Sequence, residues 1–268
     1  MPQAPADSAA ADSHHALAVA EVGWSRPLAW LARGWADFMR SPGPGLAHGA
    51  VCALFGLALV ALAREHFWIL VGACTGFLLV APVVATGLYA TSRALDQGRR
   101  ASLADAVAVW RSFDGRLVRF GLLLALAGTG WVLTSAALIT GFAAAPILGP
   151  ADFVREVVLN PRSWLFEAWL LLGAVLAAPV FASSVVAMPL LLDRPVGVLT
   201  AVLTSWRAVL GSPAAMALWA FVLALLCGIG MGTAMLGLVV VVPWLGHASW
   251  HAYRDIVGAA GGTAPRSG

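Results

Sequence analysis

The chain has no lysine: all sixteen basic residues among its 268 are arginine. It has two tyrosines, three cysteines and only 11% charged residues, against 60% hydrophobic ones. Each scarcity excludes something. Soluble domains carry about a quarter charged residues, so a soluble core under a charged surface is ruled out. Cys52, Cys74 and Cys227 each fall inside an apolar block, and no two are spaced CxxC, which argues against a disulfide or zinc framework. The net charge of +3 is spread over predicted helix ends rather than one face, so it is no nucleic-acid footprint. HExxH, Walker A, GxSxG and CxxCH are all missing. Ser183, Ser184 and Ser205 have no His or Asp partner at a readable spacing, so no enzymatic activity is expected. Arginine without lysine, with abundant Ala, Gly, Leu and Val, points to a GC-rich bacterial genome.

What is present is long apolar blocks, and the mean hydropathy is +0.86. Apolar runs of about 18 residues or more read as transmembrane helices. The runs are continuous rather than alternating, which excludes a β-barrel. Spans are predicted at Leu46–Ala63, Phe67–Ser92, Phe120–Phe142 and Leu165–Leu192. The final block, Ala214–Tyr253, is about twice the membrane thickness for one helix. It is read as two helices with Gly228–Gly232 as the turn.

Three Trp-bearing, Arg-flanked segments precede span pairs: Trp24–Arg40, Arg93–Arg119 and Asp193–Ser212. Their aromatic and guanidinium groups suit a headgroup layer. The expected anchors are Trp24, Trp30, Trp35, Arg40, Arg93, Trp110, Arg111, Trp206, Arg207, Trp250 and Arg254. Pro82 and Pro243 are each followed eleven residues later by an arginine, and Pro179 by Asp193-Arg194. The fold class is therefore an all-α polytopic membrane protein: a six-helix transmembrane bundle built from three weak repeats of interfacial amphipathic helix plus helical hairpin. Residues 1–23 and 258–268 read as disordered cytoplasmic tails around a membrane domain, 24–257. All arginines but Arg64, Arg155 and Arg162 fall on one side. That bias places both termini in the cytoplasm of a bacterial inner membrane.

His247 and His251 stand at i and i+4 on one face of the last span, and His48 opens the first. Ionisable groups within spans are functional candidates by default, and imidazoles at one depth suit haem or a metal. These three are the candidate cofactor-binding residues, but structural or lipid-headgroup hydrogen bonding in the aromatic belt is the preferred reading, and no cofactor is expected. The GxxxG pairs Gly45/Gly49, Gly72/Gly76 and Gly228/Gly232 read as close helix packing within the chain.

The runs Gly34-Trp35-Ala36-Asp37-Phe38, Gly76–Pro82 continuing to Arg93, and Pro243–Asp255 resemble the DUF2189 family of predicted bacterial integral membrane proteins. The resemblance runs over Trp30 to Val257. It implies a multi-pass membrane protein and no established activity. Some members carry a cytochrome c oxidase subunit label, which would imply more intramembrane histidines than this chain has. The functional expectation is a non-enzymatic structural, lipid-interacting or accessory subunit. Its partners would be the bilayer, anionic headgroups at the cytoplasmic face and a membrane-protein complex, with no nucleic acid. The alternative is a haem- or metal-binding redox subunit or a small transporter component.

Overall fold

The computed structural model describes residues 16–62, 72, 73, 77 and 81–258. Among these the chain is helix and connecting turns, with no strand. In order they are α1 (Arg26–Arg40), α2 (Pro42–Leu62), α3 (Thr86–Asp96), α4 (Leu103–Arg111), α5 (Gly115–Phe142) and α6 (Pro150–Phe153), the last running into a π turn at Val154–Val158. Then come α7 (Leu165–Ser184), α8 (Ala187–Asp193), α9 (Val198–Gly211), α10 (Pro213–Gly232) and α11 (Leu238–Tyr253), which ends in a π turn at Arg254–Gly258.

Among the described residues, four stretches are long and apolar enough to cross a membrane: Pro42–Ala61, Gly115–Phe142, Leu165–Asp193 and Pro213–Gly232. The chain is thus an integral membrane protein, helical in its described residues. The second predicted span, Phe67–Ser92, lies largely outside the described residues. The sixth is α11, whose 16 residues reach about 24 Å, short of the roughly 30 Å hydrocarbon layer.

Local sequence sets the helix boundaries. Prolines open α2 and α10, where a missing N–H costs nothing. Pro42-Gly43-Pro44-Gly45 follows the end of α1 at Arg40 and forms the first turn of α2. Ser102 and Asp105 cap α4 reciprocally, and the Asp114 carboxylate accepts from the Arg116 N–H at the start of α5. That cap sets Arg116 and Arg119 on the first turn of a membrane helix rather than in an interfacial segment. The Leu165–Asp193 stretch is interrupted at Val185-Val186, where the Ser205 hydroxyl takes the Val186 N–H at 3.1 Å.

The last block is two helices, but not broken where the glycines suggested. Gly228–Gly232 stays helical, and the turn is Thr233–Gly237, with Ala234 and Met235 in the left-handed region at φ 51° and 67°. Gly230 is the packed one, since a Cβ at Gly237 would meet its Cα at 2.9 Å; Gly228 and Gly232 meet nothing within 4 Å, so that GxxxG pair, expected to pack closely, makes no close helix contact among the described residues. In the GxxxG pair on α2, Gly45 and Gly49 both face α11, so that pair serves packing within the chain.

Residues 16–23, expected to be a disordered tail, run extended across the bundle. Leu17 N–H donates to Thr204 Oγ1, Ala20 N–H to the Ile256 carbonyl and Val22 N–H to Ser212 Oγ, all at 2.8–2.9 Å. Leu17, Val19 and Val22 pack on the main core, which compositional reading of an Ala-rich stretch overlooks. The rest of the two predicted tails, 1–15 and 259–268, lies outside the described residues. The main core centres on Trp30, Met188, Leu190, Trp219, Trp250 and Tyr253, where α1, α8, α10 and α11 meet.

Candidate functional site

Buried polar groups gather at one end of the bundle, around the last two turns of α11. That helix offers His247, Trp250, His251 and Tyr253 on successive faces, and each meets a partner from another element. His247 Nδ1 lies 2.6 Å from Ser92 Oγ on α3, and Ser92 O–H donates to Asp37 Oδ2 on α1 at 3.1 Å. His251 Nε2 donates to the same Asp37 oxygen at 2.8 Å. Trp250 Nε1 donates to Asp96 at 2.7 Å, and the Tyr253 hydroxyl to Asp193 at 2.6 Å. Asp37, Ser92 and His247 are buried. Burial alone would raise the Asp37 carboxyl, but the hydrogen bond and charge of His251, with His247 and the Ser92 hydroxyl, hold it below its usual range.

A second cluster lies just beyond. Asp255 accepts both Nη atoms of Arg33, at 3.0 and 2.6 Å, with Arg26 Nε at 2.7 Å and Trp30 Nε1 at 2.8 Å. Burial opposes the charge there too, yet the bonds from Arg33, Arg26 and Trp30 prevail and bring the carboxyl down to about 2. Gly34 lets α1 cross α11 in direct contact with the Ala248 backbone, and Trp244 Nε1 donates to the Leu31 carbonyl at 2.8 Å. So α1 is docked rather than adrift in a headgroup layer.

This placement revises the sequence reading of the anchors. Trp30 and Trp250 are 0% and 1% exposed and are structural hydrogen-bond donors, not interface anchors. Arg93 is also turned inward, donating to the Leu192 carbonyl at 2.9 Å. Trp206 is half-buried with its Nε1 on Ser183 Oγ at 2.9 Å, and Arg207 holds the Ala16 carbonyl. Arg254 is exposed, 3.6 Å from Asp96. Trp24, Trp35, Arg40, Trp110 and Arg111 are exposed as an interface requires, joined by Phe113, which the sequence reading passed over.

The three candidate histidines are brought to this region but differ in state. His251 is committed to Asp37. His48 Nδ1 donates to the Pro44 carbonyl at 2.8 Å, and its ring packs on Trp110 with centroids 5.1 Å apart. Nε2 of both His48 and His247 is buried without a hydrogen-bond partner among the described residues. Asp37 and Ser92, which organise the site, were missed. Their clue is scarcity: a carboxylate beside an apolar block is costly unless paired.

Ser92 and His247 make the contact of a nucleophile and its base, but with the hydroxyl turned away from the imidazole. The Ser92 proton is directed to Asp37, and neither residue lines the cavities described next. An apolar cavity of about 200 Å³ lies lower in the bundle, walled by Pro82, Tyr89, Phe181, Cys227 and Leu245 among others. A second, of about 340 Å³, lies across Phe77, against Cys52, Val132 and Met235. Neither touches an imidazole, so neither offers a haem pocket at the candidate histidines.

The family model DUF2189, described as a predicted integral membrane protein, matches residues 69–193. The match bears out the resemblance at Gly76–Arg93. It does not extend to Gly34–Phe38 or Pro243–Asp255, which supply Asp37, His247 and His251. No curated protein and no solved structure matches the chain.

Proposed function

We propose that this chain, which carries the DUF2189 match over residues 69–193, is a non-enzymatic scaffold of the bacterial inner membrane. It would hold anionic lipid headgroups at its cytoplasmic face. The supporting observation is the mixture of exposed aromatic and basic groups at the end of the bundle where the buried web closes. Trp24, at 69% exposed, and Phe113, at 80%, project there with Trp35 and Trp110. Arg100 and Arg111 are exposed beside them and have no ion pair among the described residues. Indole and phenyl rings seat at the headgroup level, and guanidiniums left without a carboxylate are matched to phosphate.

Orientation and crossing number belong to the same reading. The Ser92–Asp37, Asp193–Tyr253 and Ala20–Ile256 bonds return the chain to one end after each excursion. Three out-and-back passages, six crossings in all, fit those returns, with α11 sunk from that end. The arginine bias puts it in the cytoplasm.

The test is native mass spectrometry of the full chain released from nanodiscs of mixed phosphatidylglycerol and phosphatidylcholine. Phosphatidylglycerol should be retained several-fold over its share, and the excess should vanish in Arg100→Gln/Arg111→Gln. Retention in proportion to supply would remove the headgroup reading.

A further inference from the structure

We propose that the polar cavity between α3, α4 and the start of α5 seats the phosphoethanolamine headgroup of a phosphatidylethanolamine lipid. The cavity holds about 280 Å³ and closes against the end of α8 at Leu192. Arg93 and Arg99 reach it from α3 and the turn that follows, and Asp105, Ser112 and Asp114 from α4 and the cap of α5. Two guanidiniums and two carboxylates in one space suit neither a simple anion nor a simple cation. They suit a small group that carries both charges.

The bonds already made show what is left over. Arg93 gives one N–H to the Leu192 carbonyl at 2.9 Å and pairs with no carboxylate among the described residues. A guanidinium has five N–H donors, so most of these remain for a phosphate, which it meets two-pronged. Asp105 accepts from the Ser102 N–H and O–H and from Arg99. Asp114 accepts from the Arg116 N–H and twice from its guanidinium. A carboxylate offers about four acceptor sites, so each of the two keeps capacity for an ammonium N–H. A primary ammonium has such donors to give, and the trimethylammonium of phosphatidylcholine has none.

The position names a lipid as the source. Arg93 follows Ser92 and Leu192 precedes Asp193, so the cavity adjoins the buried web at the end of the bundle. Its wall, α4, leaves Leu103, Val107 and Trp110 exposed, and Phe113 projects from the turn beyond. Those apolar groups set the cavity at the level where headgroups lie. The inference rests on the reading above only in placing this end of the bundle at a headgroup layer.

The test releases the full chain from nanodiscs of equal phosphatidylethanolamine and phosphatidylcholine with the same acyl chains, and counts retained lipid by native mass spectrometry. Phosphatidylethanolamine should be kept roughly fivefold over phosphatidylcholine, the scale of partly exposed ionic contacts. With N-methyl and N,N-dimethyl phosphatidylethanolamine in its place, the preference should fall stepwise as N–H groups are lost. Asp105→Asn/Asp114→Asn keeps an acceptor oxygen at both helix caps and should abolish the preference. Arg93→Gln should lower retention of the whole series alike, and Asp152→Asn, outside the cavity, should change nothing. Equal retention of the two lipids by wild type, a preference blind to methylation, or an undiminished preference in folded Asp105→Asn/Asp114→Asn would each overturn the site. Should the variants fail to fold, the wild-type methylation series decides it. No phosphatidylglycerol enters this experiment, so its failure and that of the anionic-lipid reading are separable. Arg100→Gln/Arg111→Gln should lose the phosphatidylglycerol excess and keep the phosphatidylethanolamine preference.

Discussion

A carboxylate in a chain with so few charges is informative residue by residue. Asp255 holds two guanidiniums and an indole, so its loss should loosen the docking of α1. We expect Asp255→Asn to lower stability by about 1 to 2 kcal/mol, the lower part of the range for charge-assisted bonds, since Arg26 and Arg33 are 50% and 38% exposed and screened. The pH dependence has a definite sign. The native carboxyl lies at about 2 against an ordinary 3.8, so the stabilisation is complete above about pH 4 and fades as pH falls towards 2. Thermal unfolding in detergent, followed by tryptophan emission, should show a steep acid limb that flattens in Asp255→Asn. An unchanged limb would mean that another carboxylate controls acid sensitivity. Asp37 is the more severe case, being buried with two donors on one oxygen. Asp37→Ala strands Ser92 and His251 and should cost about 3 kcal/mol, readable in the same unfolding experiment as a much larger loss than at Asp255.

At the level of elements, close contact decides what each helix does. A Cβ at Gly34 would meet the Ala248 nitrogen and Cα at 2.5 and 2.7 Å. Backbone cannot turn aside, so Gly34→Ala should separate α1 from α11 at a cost of about 2 kcal/mol or more. Gly43→Ala, which faces open space, should stay within about 0.5 kcal/mol. Equal effects of the two substitutions in unfolding curves would show that α1 is not packed as described. These contacts also explain which elements were legible in the sequence. Apolar length alone located α2, α5, the Leu165–Asp193 stretch and α10, because lipid leaves the backbone no alternative to helix. The Trp/Arg composition of α1 was legible too, but not its docking. Trp30 beside lipid and Trp30 beside Asp255 are the same letters, and only a partner 225 residues away tells them apart. The strap at 16–23 was illegible for a related reason. It is held through backbone N–H groups, which every sequence has.

For the whole molecule the question is how many times the chain crosses and which way it faces. His247 and His251 were legible as a paired face. Asp37 and Ser92 were not, because they reach that face from separate elements that only the folded chain brings together. That convergence bears directly on topology. Ala20 and Ile256 share a hydrogen bond, so the two ends of the described chain lie at the same end of the bundle. The six crossings proposed above agree with that proximity, whatever the length of α11. Five crossings would carry Ile256 to the opposite face and break the bond. In a cysteine-free background, Gln97→Cys in the α3–α4 turn and Ser267→Cys near the C-terminus should therefore react with a membrane-impermeant maleimide only after permeabilisation. Asn160→Cys, between α6 and α7, should react in intact cells. Labelling of Ser267→Cys without permeabilisation, with Gln97→Cys still protected, would require an odd count. Inverted labelling at all three positions would keep six crossings but reverse the orientation. The exposed arginines would then face outward, and the case for cytoplasmic headgroup binding would fall while the helical packing stood.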